Sequence, residues 1–516
     1  MDNKVIIGTR GSKLALWQAY FTKDKLEAAG YEVTINIIKT RGDQIQHLSF
    51  DKLEGKGFFT KEIEEALLNI EVDLAVHSCK DLPTESPEGL TLTAYSARAA
   101  AHDVLLIRKE GHDGKLELEL KANAVVGTSS ARRKAQIMSF RPDIELKDIR
   151  GNVPTRINKL REGQFDAILL AAAGLNRLEL DTSDLVRIDF NPTMFVPASA
   201  QGILAYQIRT DDERMAKIAS VLDDEDSQDI INIERKILNA FQGGCQIPLG
   251  VYAKKENGIF NCWVSEAKSW DQMPVRMRFT FESKIDAPAI VQKFINLTSK
   301  SVFISKNIGS NDYFKRSLEA SQYQVVGESF IDFKALPFQT DLTKYDWIFF
   351  CSKNGVKYFF DQVQTLPKSL KIAAINKGSA QVLKALGHTV DFIGEGGSLE
   401  EIAKQFDQAE GEKALIIRAK ISNRSIQKNV QIKKVEDLIV YDNFIQSEIA
   451  ERNEDVLVFT SPMNVEGYFS KHPLKENQTI VSIGPTTSKK IKSYGYAAKE
   501  AYEPTMWALV DEVFSY

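Results

Sequence analysis

The chain has 516 residues, enough for about three or four domains with sizeable cores. Hydrophobic residues make up 43% and charged residues 26%, a globular composition that excludes long disorder. With 66 basic and 70 acidic residues the net charge is −4, so no general basic field recruits nucleic acid or an anionic membrane. No apolar run approaches the roughly 18 residues of a membrane span, and the N-terminus has no apolar signal core, so a cytoplasmic protein is expected. The four cysteines (Cys79, Cys245, Cys262, Cys351) are widely spaced with no CxxC pair, neither a disulfide framework nor a metal site.

In chain order, the first 210 residues alternate short apolar runs with helical patterns, which reads as α/β with largely parallel sheets. Strands are expected at 5–7, 33–38 and 74–76, with helices at 13–26 and 61–68. A second unit follows, with strands at 104–107, 124–126 and 167–170 and helices starting at Ala131 and Thr155. Residues 215 to 297 read as a smaller α+β module that opens on the acidic stretch Asp223-Asp224-Glu225-Asp226 and closes on a helix at 287–294. A polar joint at 296–300 precedes a new strand at 301–304. The last third repeats itself: Asp346-Trp347-Ile348-Phe349-Phe350-Cys351-Ser352 matches Asp455-Val456-Leu457-Val458-Phe459-Thr460-Ser461, and Ile375 and Gly387 match Ile483 and Gly495. Each copy runs from a strand through a Ser/Thr turn into a helix, which predicts two similar α/β lobes. Neither a P-loop nor a GxGxxG fingerprint occurs.

Four basic clusters fall at turns. They are Arg10-Gly11-Ser12, Gly127-Thr128-Ser129-Ser130-Ala131-Arg132-Arg133, Arg150-Gly151-Asn152-Val153-Pro154-Thr155-Arg156 and Gly174-Leu175-Asn176-Arg177. A strand, a small-residue turn and a helix start aim backbone N–H groups at an anion, and arginine adds a fork suited to carboxylates. Solvated arginines and ordinary helix caps explain one such cluster; four in comparable places favour a ligand with several negative groups. His77-Ser78-Cys79-Lys80-Asp81-Leu82-Pro83 follows the expected strand at 74–76, where a Lys–Asp pair suits proton transfer or cation stabilisation, though a surface ion pair reads the same. Gly243-Gly244-Cys245-Gln246-Ile247-Pro248 sets one cysteine on a loop open to close approach, with a small buried core residue as the plain alternative.

Together with Lys13-Leu14-Ala15-Leu16-Trp17-Gln18 and Lys56-Gly57-Phe58-Phe59-Thr60-Lys61-Glu62, these motifs resemble the hydroxymethylbilane synthase (porphobilinogen deaminase) family, in the family's order. The resemblance implies two periplasmic-binding-protein-like lobes, 1–97 with 195–212 and 98–194, plus a small α+β cofactor-attachment domain at 213–297. It implies a dipyrromethane cofactor in thioether linkage to Cys245, with Lys80, Asp81, Arg132, Arg133 and Ser130 around it. Asp81 would be the acid/base and Lys80 would bind carboxylates beside it. Arg10, Arg150, Arg156 and Arg177 would neutralise the growing chain, with Ser12, Thr128 and Ser129 as neutral donors. The substrate would be porphobilinogen, four units joined with loss of ammonia. Departures from the family pattern are Ala200 for a glycine, Gln207 for a glutamate, Cys79 for a methionine and His102 for an arginine.

Residues 301–516 resemble uroporphyrinogen-III synthase through Ser352-Lys353-Asn354-Gly355-Val356, Phe459-Thr460-Ser461-Pro462, Ile483-Gly484-Pro485-Thr486-Thr487 and Pro504-Thr505. This implies a two-lobed α/β region, 301–334 with 446–516 and 335–445, that works without metal. Ser352, Thr460, Ser461, Thr486 and Thr487 would donate to product carboxylates, and Tyr441 would assist departure of the hydroxyl. The expected function is a bifunctional enzyme of tetrapyrrole biosynthesis. Rival readings are a deaminase with a non-catalytic C-terminal lobe and a non-enzymatic binding protein for anionic ligands.

Overall fold

The structure is a computed structural model that describes residues 3–40, 60–241, 247–282, 285–394, 398–431 and 433–516. Five sheets form among the described residues. In the first, the strands run Glu32–Ile37, Lys4–Thr9, Leu74–Ser78, Leu204–Arg209 and Leu90–Tyr95 across the sheet. Lys4–Thr9 pairs in parallel with both neighbours, and Leu204–Arg209 lies antiparallel between its own. The second sheet repeats this arrangement as Glu145–Lys147, Val125–Gly127, Ala167–Ala171, Asp103–Ile107 and Val186–Asp189, with Asp103–Ile107 as the antiparallel member. One antiparallel strand in each sheet is what the alternating pattern did not announce. Such a strand is buried on both faces and reads as a continuous apolar run whichever way it points. Leu204–Arg209 is the return of the chain from the second sheet, and the two crossing segments bond to each other through Ser96 N to Leu204 O (3.0 Å) and Ala99 N to Gly202 O (3.1 Å).

The third sheet is an antiparallel meander of Leu249–Glu256, Ile259–Glu266 and Val275–Phe281, packed against the helices Glu225–Ala240 and Ala287–Ile295. The fourth is wholly parallel, in the order Gln324–Gly327, Ser301–Ile304, Val456–Phe459, Thr479–Ser482, Lys499–Glu500. The fifth is Ile331–Ala335, Lys434–Ile445, Lys413–Ala419, Trp347–Phe350, Lys371–Ala374, Phe392–Ile393. Ile331–Ala335 pairs antiparallel with Lys434–Ile445, so the chain first joins this sheet at Ile331.

The internal repeat has a physical form. Trp347–Phe350 and Val456–Phe459 are matching buried strands, each followed by a helix capped by a serine: Ser352 accepts from Gly355 N, Ser461 from Asn464 N. Gly387 and Gly495 each follow a helix at φ +88° and +84°, a left-handed C-terminal stop that glycine adopts without strain. No helix among the described residues is long and apolar enough to cross a membrane.

Candidate functional site

The strand Leu74–Ser78 ends in a single turn of 3-10 helix, Cys79–Asp81, which carries Lys80 and Asp81 to the edge where the two crossing segments run. Lys80 is partly buried there, with Nζ 3.4 Å from Gln201 Oε1. Loss of water around the ammonium pushes its pKa down to about 8, with Asp81 opposing the shift and Arg133 and Arg132 adding to it. Gln201 also donates to Asp103 Oδ1 (3.1 Å) and to Ala101 O (2.6 Å). One side chain therefore joins the first sheet's edge to the first residue of Asp103–Ile107.

Asp103 is fully buried and binds both arginines of the second cluster. Arg132 Nη1 lies 2.7 Å from Oδ2, and Arg133 Nη2 and Nε lie 2.6 and 3.1 Å from Oδ1. Burial opposes the Asp103 charge, but the two guanidiniums outweigh it and hold the carboxyl well below its usual range. Both arginines are expected on a ligand from their motif; in the structure part of each is taken by Asp103. Two cations on one carboxylate still leave one positive charge.

Arg150 and Arg156 add to that excess. Asn152 caps Val153–Arg161 by accepting from Thr155 N, so this helix starts two residues before Thr155, with Pro154 in its first turn. Arg156 donates from Nε to Gly151 O (2.7 Å). Burial, then the charges of Arg133 and Arg150, push its pKa down to about 10, with Asp81 opposing. Lys80, Asp81, Arg132, Arg133, Arg150 and Arg156 thus form one electrostatic cluster. Ser129 exchanges hydrogen bonds with Ile149 N and O, Ser130 caps Ala131–Phe140, and Thr128 Oγ1 accepts from Ser130 N, which fixes the loop bearing Arg132 and Arg133. Ser12 caps Lys13–Ala28 by accepting from Ala15 N. Arg177 sits over the Trp17 ring and donates to Gly202 O (2.8 Å), tying the second unit to the first helix and the return segment. Arg10 is close enough to depress the buried, neutral His77, whose pKa is pushed down to about 4 chiefly by burial.

The departures from the family pattern have local partners. His77 Nε2 lies 3.1 Å from Gln207 Oε1, so a neutral amide meets a neutral ring. His102 pairs with Asp189 at 2.7 Å. Ala200 adopts φ +58°, a left-handed conformation that costs an L-residue about 1–2 kcal/mol. Cys79, Cys262 and Cys351 are sheltered, and burial raises all three thiols, Cys79 to about 11. Cys245 lies outside the described residues, as does the stretch 56–59.

Sequence reasoning missed Glu234 and Arg98. Glu234 is fully buried on Glu225–Ala240; it accepts from Arg98 Nη1 (2.7 Å), Ala200 N (2.6 Å) and Ala253 N (2.7 Å). Its signal was available: a lone acid among Ile230, Ile233, Ile237 and Leu238 on an apolar helix face.

In the C-terminal region, Ser352 Oγ is 3.1 Å from Tyr441 OH, beside a bulge where Lys413–Ala419 meets Lys434–Ile445. Burial raises the Tyr441 phenol, and its ring stacks on Tyr358 at 5.2 Å. Thr460 Oγ1 donates to Ser305 O (2.8 Å), and Asn464 donates to Ser461 Oγ (3.0 Å). Thr486 is exposed at the start of Pro485–Lys492, and Thr487 is buried.

In this α/β chain the strand end at Leu74–Ser78 thus gathers cations around one exposed carboxylate, Asp81. Residues 5–217 match the family model "Porphobilinogen deaminase, dipyromethane cofactor binding domain", and residues 312–511 match "Uroporphyrinogen-III synthase HemD". The porphobilinogen deaminase of Nitratiruptor sp. is 48% identical over 250 residues, covering 48% of this chain and 78% of the relative. That of Chlorobium phaeobacteroides is 44% identical over 260 residues, 50% of this chain and 81% of the relative. Among solved structures, uroporphyrinogen-III synthetase from Helicobacter pylori is 21% identical, covering 42% of this chain and 99% of its own, with a TM-score of 0.34. The chain belongs to the porphobilinogen deaminase family and carries a uroporphyrinogen-III synthase-family region behind it.

Proposed function

We propose that the chain joins four porphobilinogens into hydroxymethylbilane with release of ammonia and then closes that chain to uroporphyrinogen III. The carrying observation is the cluster of Lys80, Arg132, Arg133, Arg150 and Arg156 around Asp81, in which cations outnumber carboxylates even after Asp103 binds Arg132 and Arg133. Each porphobilinogen carries two carboxylates, so a bound oligopyrrole is the polyanion this cluster fits. Loss of ammonia from the aminomethyl group leaves a cationic methylene pyrrole. The Asp81 carboxylate opposes that charge, accepts from the pyrrole N–H, and takes the proton that the attacked ring carbon gives up. Lys80 and the arginines hold the carboxylates so that methylene and ring carbon meet. Dipyrromethane, when bound, supplies the ring carbon on which the first unit is built.

The same cations fit that group's acetates and propionates, and we assign its thioether to Cys245. The three described cysteines are sheltered with raised thiols, whereas Cys245 follows two glycines in the family's motif. We assign residues 1–97 with 195–212 and 98–194 to two lobes of periplasmic-binding-protein type, supported by the shared strand order with one antiparallel return. Residues 213–297 form the third domain, and the cytoplasmic location belongs to the same proposal. In the second site we assign Tyr441, with Ser352 beside it, to departure of the hydroxyl from hydroxymethylbilane, and the helix starts at Ser352, Ser461 and Thr486 to the carboxylates.

The test is intact protein with porphobilinogen, followed by isomer chromatography and intact mass. We expect mostly the type III isomer and a mass above the sequence by two linked porphobilinogen units less their ammonia, lost in Cys245→Ala. Type I alone overturns the second activity. Active protein at the bare sequence mass overturns the attachment.

A further inference from the structure

The meander strand Val275–Phe281 carries Arg276, whose side chain is 2% exposed. Its guanidinium meets two other parts of the chain. Nε and Nη2 hold the two carboxylate oxygens of Asp511, at 3.0 and 3.2 Å, in the helix Met506–Phe514 of the synthase-family region. Nη1 donates to Met194 O and Nη2 to Thr193 O. Tyr502 OH donates to Asp511 Oδ2 (2.7 Å), while Thr193 Oγ1 and Asn191 Nδ2 donate to Glu503 (3.0 and 3.2 Å). Burial opposes the Arg276 charge, and the Asp511 carboxylate more than reverses that, so the guanidinium stays protonated.

Thr193 and Met194 begin the return segment. Two residues on, Val196 O accepts from Arg132 Nη1 (2.9 Å) and Gln136 Nε2 (2.8 Å), and Pro197 O accepts from Val251 N (3.0 Å). Farther along, Gln201 reaches Lys80 and Asp103. From Asp511 through Arg276 to this segment, every link is a hydrogen bond, and it ends on cations of the proposed porphobilinogen site.

We propose that Asp511, through Arg276, is a positioning residue of the deaminase half: the last helix of the synthase-family region holds the segment on which Arg132 and Lys80 are set. This rests on the deaminase reading above. The apolar core alone would hold the two regions together, since Met277 packs with Leu509, Val513 and Phe514. What it does not supply is direction, because apolar contacts are non-directional and a bidentate fork is not.

The experiment is steady-state porphobilinogen consumption by full-length Arg276→Lys and Asp511→Asn, with thermal unfolding alongside. Lysine keeps a charge against Asp511 but cannot reach both carbonyls as well. Displaced carboxylate-binding cations weaken ground and transition states alike, so KM should rise about tenfold while kcat stays within about threefold. If Asp511→Asn is unfolded at the assay temperature, the charge-free pair Arg276→Met with Asp511→Leu takes its place. Apolar replacement of a buried pair often preserves stability, so the pair should unfold near wild type and still show the raised KM. Wild-type KM in any folded variant of this set overturns the inference. A wild type that consumes no porphobilinogen overturns the deaminase reading instead.

Discussion

Lys80 and Asp81 are adjacent in sequence but differ in their surroundings. Asp81 is exposed, while Lys80 is drawn in toward Gln201, where lost hydration leaves its ammonium easier to deprotonate. Since kcat/KM follows free-enzyme titrations, porphobilinogen consumption should fall as pH rises through about 8, where the cation that binds carboxylate is lost. In Lys80→Arg, whose charge survives, that limb should move to higher pH; an unmoved limb would remove Lys80 from substrate binding. Asp81→Asn keeps the shape and loses the charge and the proton acceptor. Its turnover should drop by roughly 10²- to 10⁴-fold with the unfolding temperature unchanged. Near-wild-type turnover would exclude Asp81 from the chemistry.

At the scale of elements, what could be read from the sequence followed periodicity and caps. Lys61–Leu68 matched its expected bounds, and the matching serine-capped turns of the C-terminal repeat were legible because each strand, cap and glycine stop has a local cause. The arginine turns were legible too. Their pairing was not, because Asp103 is far from Arg132 in sequence and only the sheet brings the two together. The return segment shows a third case. Ala200 was visible as a departure from the family's glycine, but its left-handed φ of +58° was not, nor was the Glu234 carboxylate that accepts from its N–H. Relief of strain of about 1–2 kcal/mol is opposed by the roughly 0.5–1 kcal/mol that a glycine loses in chain entropy. Ala200→Gly should therefore be neutral or stabilising by up to about 1.5 kcal/mol in thermal unfolding, and Ala200→Val should destabilise by about 1–3 kcal/mol. A clear loss of stability in the glycine variant would show that the backbone there is unstrained.

For the whole molecule, the question is whether two enzymes joined in one chain are independent. The polar joint at 296–300 suggests a linker, yet the faces on either side of it share one core. Val275, Met277 and Phe279 of the meander pack with Leu509, Val513 and Phe514, Phe140 stacks on Tyr313 at 4.8 Å, and Arg316 donates to Ser139 O (2.7 Å). Removing residues 301–516 would open that strand face to water, where each large apolar side chain returned to solvent forfeits roughly 1.5–3 kcal/mol. Arg276, by contrast, would gain water as it lost Asp511, so the cut costs less at that residue than an intact chain with the carboxylate deleted. The fragment 1–300 should therefore fold and consume porphobilinogen, yielding only the type I isomer. An exposed apolar strand next to a sheet edge also favours self-association. Size-exclusion chromatography should show the fragment associating at concentrations where the full chain does not, with a lower unfolding temperature. A monodisperse fragment that unfolds with the full chain would mean that the shared core contributes nothing to the deaminase half.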